Sequence, residues 1–284
     1  MVITQEHHYG WRCVSEPLSN VEESTVNMLT KSEKSPEKKN SLRRLNVISV
    51  LLLCLVAMPI LFYKFALPYV YRLPSIAEPQ KLTAEFHKLF YDSALRQAPL
   101  WMGTPIQKNP LDLMIVHEIL YEVKPDVIIE AGTADGGSAL YMANMMDLLG
   151  HGKKVVTIDI KASAIRPSHP RIEYLVGSST APEIVAKVKS FISPGDKVLV
   201  SLDSDHRRNH VLRELQLYGP MVTKGSYLIL EDTNINGHPV YPTFGPGPME
   251  ALQEFLKTNS DFEIDLARER LLVTFNPSGF LRKR

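Results

Sequence analysis

Cysteine is nearly absent. The 284-residue chain has two, Cys13 and Cys54. Everything after residue 54 therefore has no disulfide framework, no thiolate nucleophile and no cysteine-ligated zinc. Net charge is nearly absent too: 32 Lys and Arg against 31 Asp and Glu leave a formal +1. A dedicated nucleic-acid binder neutralises phosphates and is usually strongly basic, so the balance argues against nucleic acid as a partner. A mean hydropathy of -0.08 is too low for a polytopic membrane protein. With 44% hydrophobic residues the chain is too apolar for wholesale disorder. No glycosylation sequon occurs, because Asn276 is followed by proline. There is no internal repeat and no G-x-G-x-x-G fingerprint.

What is present is distributed unevenly. Residues 1–45 are polar and rich in Ser, Glu, Lys and Asn, the composition of a disordered tail. From Leu45 to Tyr63 there is no charge at all. Lys64 interrupts, and the apolar character then continues to Tyr71. A spanning helix needs roughly 20 apolar residues, so 46–71 is expected to be a single-pass transmembrane anchor, with Pro59 as a kink point. The polar stretch ahead of it is too long for the n-region of a cleaved signal peptide. Lys31, Lys34, Lys38, Lys39, Arg43 and Arg44 precede the run, whereas Lys64, Arg72 and Lys81 follow it. The positive-inside rule then places the N-terminus in the cytosol and the C-terminal bulk of the chain on the far side of the membrane. Any cytosolic cofactor would have to be delivered there.

Residues 73–284 carry the pattern of one α/β domain. Helical stretches are expected at 79–94 and 110–123. Apolar, β-branched runs then alternate with helical ones: Val127–Glu130, Val155–Ile160, Ile172–Val176, Val198–Leu202, Tyr227–Glu231 and Leu271–Phe275. Such alternation implies a doubly wound, mostly parallel sheet of Rossmann-like type, in which ligands bind beyond the carboxyl ends of the strands.

Those strand ends carry the chemistry. The first leads into Glu130-Ala-Gly132-Thr133-Ala-Asp-Gly136-Gly137-Ser138. Gly132 permits a tight turn, Gly136 and Gly137 permit close backbone approach, and Ser138 opens a helix whose amides suit a carboxylate. The bland alternative is an ordinary glycine-rich turn. Asp159 ends the second strand, about 27 residues after Gly132, where an acid accepts both hydroxyls of a ribose. Ser178 follows the third, near an adenine edge. The fourth ends in Asp203-Ser-Asp205-His206 and the fifth in Glu231-Asp232. Carboxylates converging from neighbouring strands repel and raise one another's pKa. A divalent cation of the magnesium, calcium or manganese kind resolves that. The bland alternative is solvated loop acids with a lysine or arginine nearby, for which Arg207 and Arg208 could serve, but both acid sets follow continuous apolar strands, which favours the metal. His206 and His210 also form H-x-x-x-H, a weaker zinc or iron signal with no third ligand in place.

Together these motifs, with Leu230-Glu231-Asp232-Thr233, Gly245-Pro-Gly247-Pro248 and Trp101-Met-Gly103-Thr-Pro-Ile-Gln107, resemble the cephalosporin hydroxylase and rhamnosyl O-methyltransferase family over roughly residues 85–275. The resemblance implies an S-adenosylmethionine-dependent methyltransferase fold and a metal-assisted O-methyltransferase. It implies that Glu130, Gly132, Thr133, Gly136, Gly137 and Ser138 lie under the methionine part of the cofactor. Asp159 would hold the ribose, and Ser178 and Asp203 would complete the cofactor site. It further implies a magnesium site drawn from Asp203 or Asp205, Glu231 and Asp232, with His206 as base. The acceptor would be a hydroxyl of a sugar, glycolipid or small natural product, in a pocket built from residues 101–112 and 234–248. Trp101, His238, Tyr241 and Phe244 are candidates for stacking on it. A homo-oligomer is compatible with the sequence. The rival readings are a nicotinamide-dependent oxidoreductase, against which the missing fingerprint argues, and a non-catalytic membrane-tethered protein, against which the acidic cluster argues.

Overall fold

The computed structural model describes residues 54–55, 57–61, 78–96 and 99–284. The tail expected over 1–45 lies outside them. So does most of the anchor expected over 46–71, of which only 54–55 and 57–61 are described, as helix. Among the described residues no helix is long and apolar enough to cross a membrane. Every element below belongs to the compact unit Ile76–Arg284.

That unit opens with α1 (Pro79–Arg96) and a short hairpin of β1 (Leu100–Trp101) and β2 (Thr104–Pro105). Next comes α2 (Pro110–Val123). Asn109 starts it, its side chain accepting from the Leu111 N–H at 3.0 Å, and proline occupies the first turn, where no N–H is needed. The alternating core follows as β3 (Val127–Ala131), α3 (Gly137–Leu149), β4 (Lys154–Asp159), β5 (Ile172–Val176), α4 (Pro182–Lys189), β6 (Val198–Leu202), α5 (Arg208–Tyr218) and β7 (Tyr227–Leu230). The chain closes with α6 (Pro248–Thr258), β8 (Phe262–Ile264) and β9 (Phe280–Lys283).

The seven strands of the main sheet lie in the order β5-β4-β3-β6-β7-β9-β8. The first five are mutually parallel, and β9 inserts antiparallel between β7 and β8. This is the Rossmann-like arrangement expected for residues 73–284. Strands of such a sheet are buried on both faces, and side-chain alternation divides them cleanly. Val127, Ile129 and Ala131 of β3 pack with Val200 of β6 against Val188 of α4, Leu215 of α5 and Leu252 of α6. Ile128 and Leu199 point the other way, onto Ile119 of α2 and Met146 of α3.

One expected strand is not one. Leu271–Phe275 is irregular, because its backbone groups bond to side chains and a loop instead of to a neighbouring strand. Asn109 Nδ2 donates to the Val273 carbonyl at 3.0 Å, and the Phe275 N–H donates to Asp112 Oδ2 at 2.8 Å. The Phe275 carbonyl accepts from the Asn234 N–H at 3.2 Å. The sheet is instead completed by β8 and β9, which the sequence pattern did not mark.

Register lines up the chemistry. Ala131 sits opposite both Ile158 and Leu202, and Leu202 opposite Leu230. The next residue in register therefore falls on one edge: Asp159 as the last of β4, and Gly132, Asp203 and Glu231 just past the ends of β3, β6 and β7. The order of strands reverses at β3, so this edge is also the crevice where such sheets bind ligands.

Candidate active site

A cavity of about 610 Å³ opens along this edge. Thr133, Gly137, Ser138, Asp159 and Ser178 line it toward β4 and β5, and Asp203, Asp205, His206 and Asp232 toward β6 and β7. Gly132 forms its floor with φ +103°, and a Cβ there would lie 1.8 Å from the Asp203 carbonyl oxygen. Gly137 lets the β1–β2 hairpin close in, since a Cβ would lie 2.2 Å from the Pro105 carbonyl. Gly136 is placed outside the cavity, with Pro167 and Tyr174 packed on it.

Asp159 is held in position before any ligand arrives. Its Oδ2 accepts from the Ala134 N–H at 2.8 Å and its Oδ1 from the Lys161 N–H at 2.9 Å. Arg166 pairs with it at 3.2 Å and also donates to the Ala134 carbonyl. Glu130 is fully buried behind the cavity. Its Oε2 accepts from Thr157 Oγ1 at 2.5 Å, and burial pushes its carboxyl up to about 7. Thr133 shares a 2.6 Å hydrogen bond with the same Thr157 hydroxyl, so the turn after β3 is tied to β4 through two side chains.

At the other end Asp203, His206 and Asp232 each offer one donor atom, all within 4.8 Å of one another. His206 Nε2 is 3.4 Å from Asp232 Oδ2. Burial pushes the carboxyls of Asp203 and Asp232 up from the ordinary carboxylate range, against the pull of Lys108 and His206. Asp232 reaches this position through a positive φ of 54°, its N–H donating to Asn276 Oδ1 at 3.0 Å. Glu231 is set back from the cavity, where Ser201 Oγ donates to its Oε1 at 2.6 Å and Lys108 Nζ sits 2.5 Å from its Oε2. Asp205 turns outward into an ion pair with Arg207, whose hydrogen bonds push it down to about 2. His210 is bound to Ser179 at 3.1 Å and to Glu214 at 3.3 Å, apart from the His206 group.

Three contributors went unmarked in the sequence. Lys108 Nζ lies 2.5 Å from Asp203 Oδ2 as well as from Glu231, and its side chain is 11% exposed. Tyr91 of α1 and Phe275 of the irregular loop line the cavity and meet edge to face at 5.0 Å. Burial, then the charges of Asp232 and Asp203, push the Tyr91 phenol up, so it is a neutral donor. None of the four stacking candidates lines the cavity. Trp101 packs edge to face on Tyr141 and donates to Asn144, His238 pairs with Glu250, and Phe244 packs against the cluster around Phe275. Tyr241 is 56% exposed.

Taken as chemistry, the cavity can bind a ribose-bearing ligand at Asp159 and place its far end against hard oxygen donors and an imidazole. The sequence model described as Rhamnosyl O-methyltransferase/CmcI matches residues 95–284. The rhamnosyl O-methyltransferase of Mycobacterium leprae (strain TN) is 39% identical over 209 residues, covering 72% of this chain and 91% of its own. That of Mycobacterium tuberculosis is 39% identical over 234 residues, covering 80% and 93%. Among solved structures, CmcI in its apo form gives a TM-score of 0.52 at 19% identity over 67% of this chain and 83% of that one. CmcI with Mg and SAM gives 0.51 at 18% over 68% and 84%. The two solved structures speak for the fold alone. By the family match and the 39% identity of its curated relatives, the chain belongs to the rhamnosyl O-methyltransferase/CmcI family.

Proposed function

We propose that the chain is an S-adenosylmethionine-dependent, divalent-cation-assisted O-methyltransferase acting on a sugar hydroxyl, such as one on a rhamnosyl group. The observation that carries this reading is one cavity joining Asp159 to the Asp203, His206 and Asp232 group. Its volume lies in the range of ordinary cofactor pockets. The two carboxylates of that group, within 4.8 Å of each other, are fitting hard oxygen donors for a divalent cation, with an imidazole beside them. The rhamnosyl acceptor follows from the names of the curated relatives.

When bound, S-adenosylmethionine supplies an electrophilic methyl group, and the cation a Lewis acid that lowers the pKa of the acceptor hydroxyl. The chain's own residues do the rest. Asp159 accepts from the ribose hydroxyls, and the Gly132–Ser138 turn brings backbone against the methionine part. Asp203 and Asp232 would hold the cation, and His206 Nε2, 3.4 Å from Asp232 Oδ2, would be left free of it to take the acceptor proton. Tyr91 and Phe275 wall the acceptor side and exclude water. Glu231 stands behind Asp203, and Asp205 lies to the side.

Asp232→Ala tests the assignment. Magnesium-dependent methyl transfer to a rhamnosyl glycoside is expected to vanish, with S-adenosylhomocysteine affinity held within about threefold by calorimetry. Full activity in that variant overturns the cation site. Thermal stabilisation of the wild-type chain by NAD and not by S-adenosylhomocysteine overturns the methyltransferase reading.

A further inference from the structure

We propose that Lys108 is a resident counter-cation of the acidic cluster, a positioning residue that holds Asp203 and Glu231 in place and competes with the divalent cation for them. The proposal rests on the reading of Asp203, His206 and Asp232 as a cation site.

Placement comes first. Lys108 sits between Ile106, whose N–H donates to the Pro99 carbonyl, and Asn109, which caps α2 and is itself bonded to Val273. Both flanks are pinned, so the side chain enters the domain from a fixed point. Its Nζ reaches Asp203 Oδ2 and Glu231 Oε2, each at 2.5 Å, and the three side chains are only 11–18% exposed. The other cations near this end are engaged elsewhere: Arg207 with Asp205, and Arg208 with Glu254.

Two consequences follow. Without a divalent cation, three carboxylates from adjacent strand ends would face one another in a poorly solvated place. Lys108 offsets one of those negative charges and bridges Asp203 and Glu231, which lowers the cost of folding without a metal. With a divalent cation at Asp203, the ammonium on the same carboxylate is a like charge close by, and it keeps Asp203 Oδ2 and Glu231 Oε2 from serving as donors. Lys108 therefore weakens cation binding while holding the geometry of the acids in the metal-free chain.

The experiment is Mn²⁺ titration by calorimetry, with thermal unfolding in chelator and in Mn²⁺, on the full detergent-solubilised chain. Lys108→Met is expected to bind Mn²⁺ at least about tenfold more tightly than wild type, to melt lower in chelator, and to gain more from Mn²⁺. Adding Glu231→Gln removes the stranded charge, so the double variant is expected to recover stability in chelator. A role in packing alone predicts no such recovery. If Lys108→Met folds only in Mn²⁺, that too supports the proposal. Unchanged or weaker Mn²⁺ binding in Lys108→Met overturns it. So does a variant that fails to fold in both conditions and is not recovered by Glu231→Gln. If neither wild type nor variant binds Mn²⁺, the cation-site reading itself fails.

Discussion

Gly132→Ala tests whether the floor of the cavity is set by contact between strand ends. Gly132 holds φ +103°, and its N–H donates to the Ile158 carbonyl at 2.8 Å. On its other side β6 passes so closely that an added Cβ would lie 1.8 Å from the Asp203 carbonyl oxygen and 2.5 Å from its carbon. Real Cβ atoms essentially never come within 3.0 Å of such atoms, so the end of β6 has to retreat by about 1.2 Å. Holding alanine at this φ costs about 1–3 kcal/mol. Pulling Asp203 back also stretches its 2.7 Å backbone bond to Ala131, a further loss of about 1 kcal/mol. A total near 3 kcal/mol corresponds to a drop in Tm of about 6–12 °C for a domain of this size. Because the displaced residue carries a carboxylate of the site, a shift of about 1 Å is expected to cost about 100-fold in kcat/KM as well. Gly195→Ala separates strain from contact. Gly195 has a similar φ of +89° with nothing near its Cβ position, so its alanine variant is expected to lose about 1 kcal/mol and keep its activity. Scanning calorimetry and initial rates on both variants decide the matter. If Gly132→Ala melts and turns over like Gly195→Ala, the reasoning from close approach is wrong.

Two other substitutions test the site's electrostatics. Asp159→Asn replaces a carboxylate prepositioned by Ala134, Lys161 and Arg166. Loss of charge-assisted bonds to the ribose is expected to weaken S-adenosylhomocysteine binding by about 30- to 100-fold, read by calorimetry, and a change below about threefold would remove Asp159 from the cofactor site. Asp112 accepts from the Phe275 N–H and is pushed by burial from 3.8 up to about 7. Its folded-state pKa lies above the unfolded one, so the folded chain binds more protons between them and stability falls as pH rises from about 4 to about 7. Asp112→Asn keeps an acceptor and removes the charge. Its unfolding free energy relative to wild type is expected to improve across that window by on the order of 3 kcal/mol in urea titrations, and a pH-independent difference would contradict the assignment.

What could be read in advance follows from the physics of each element. Strands β3, β6 and β7 are buried along their whole length, and that burial writes apolar runs that stand out in the sequence, while the edge strand β5 is only partly buried and still mostly apolar. Strand ends follow automatically, and parallel register then sets Asp159, Gly132, Asp203 and Glu231 side by side. Leu271–Phe275 has the same composition, yet its partners are Asn109, Asp112 and Asn234, far away in sequence, so local propensity had no information about it. Strands β8 and β9 went unmarked for the opposite reason, since three- and four-residue strands that carry Glu263, Arg282 and Lys283 leave little periodicity to read.

The choice between Asp203 and Asp205 shows where such reading stops and why. Both follow β6 within three residues, and both are acids. Only tertiary structure separates them: the Asp203 N–H bonds to Ala131 and continues the sheet edge, whereas Asp205 has left the strand and folds back on Arg207. Lys108 makes the same point more sharply. The sequence left two ways to stabilise converging carboxylates, a divalent cation or a neighbouring basic side chain, and treated them as alternatives. The structure places the basic side chain on Asp203 and Glu231, and Lys108, Asp203, His206 and Asp232 all line the cavity. A lysine on two of the acids leaves the grouping of Asp203, His206 and Asp232 intact, with donor atoms within 4.8 Å of one another. A residue 95 positions before Asp203 makes this contact, and it lies in a loop with no periodicity of its own. Charge balance predicted that some cation had to be there, but only the packing of α2 against the irregular 273–276 loop determines which one.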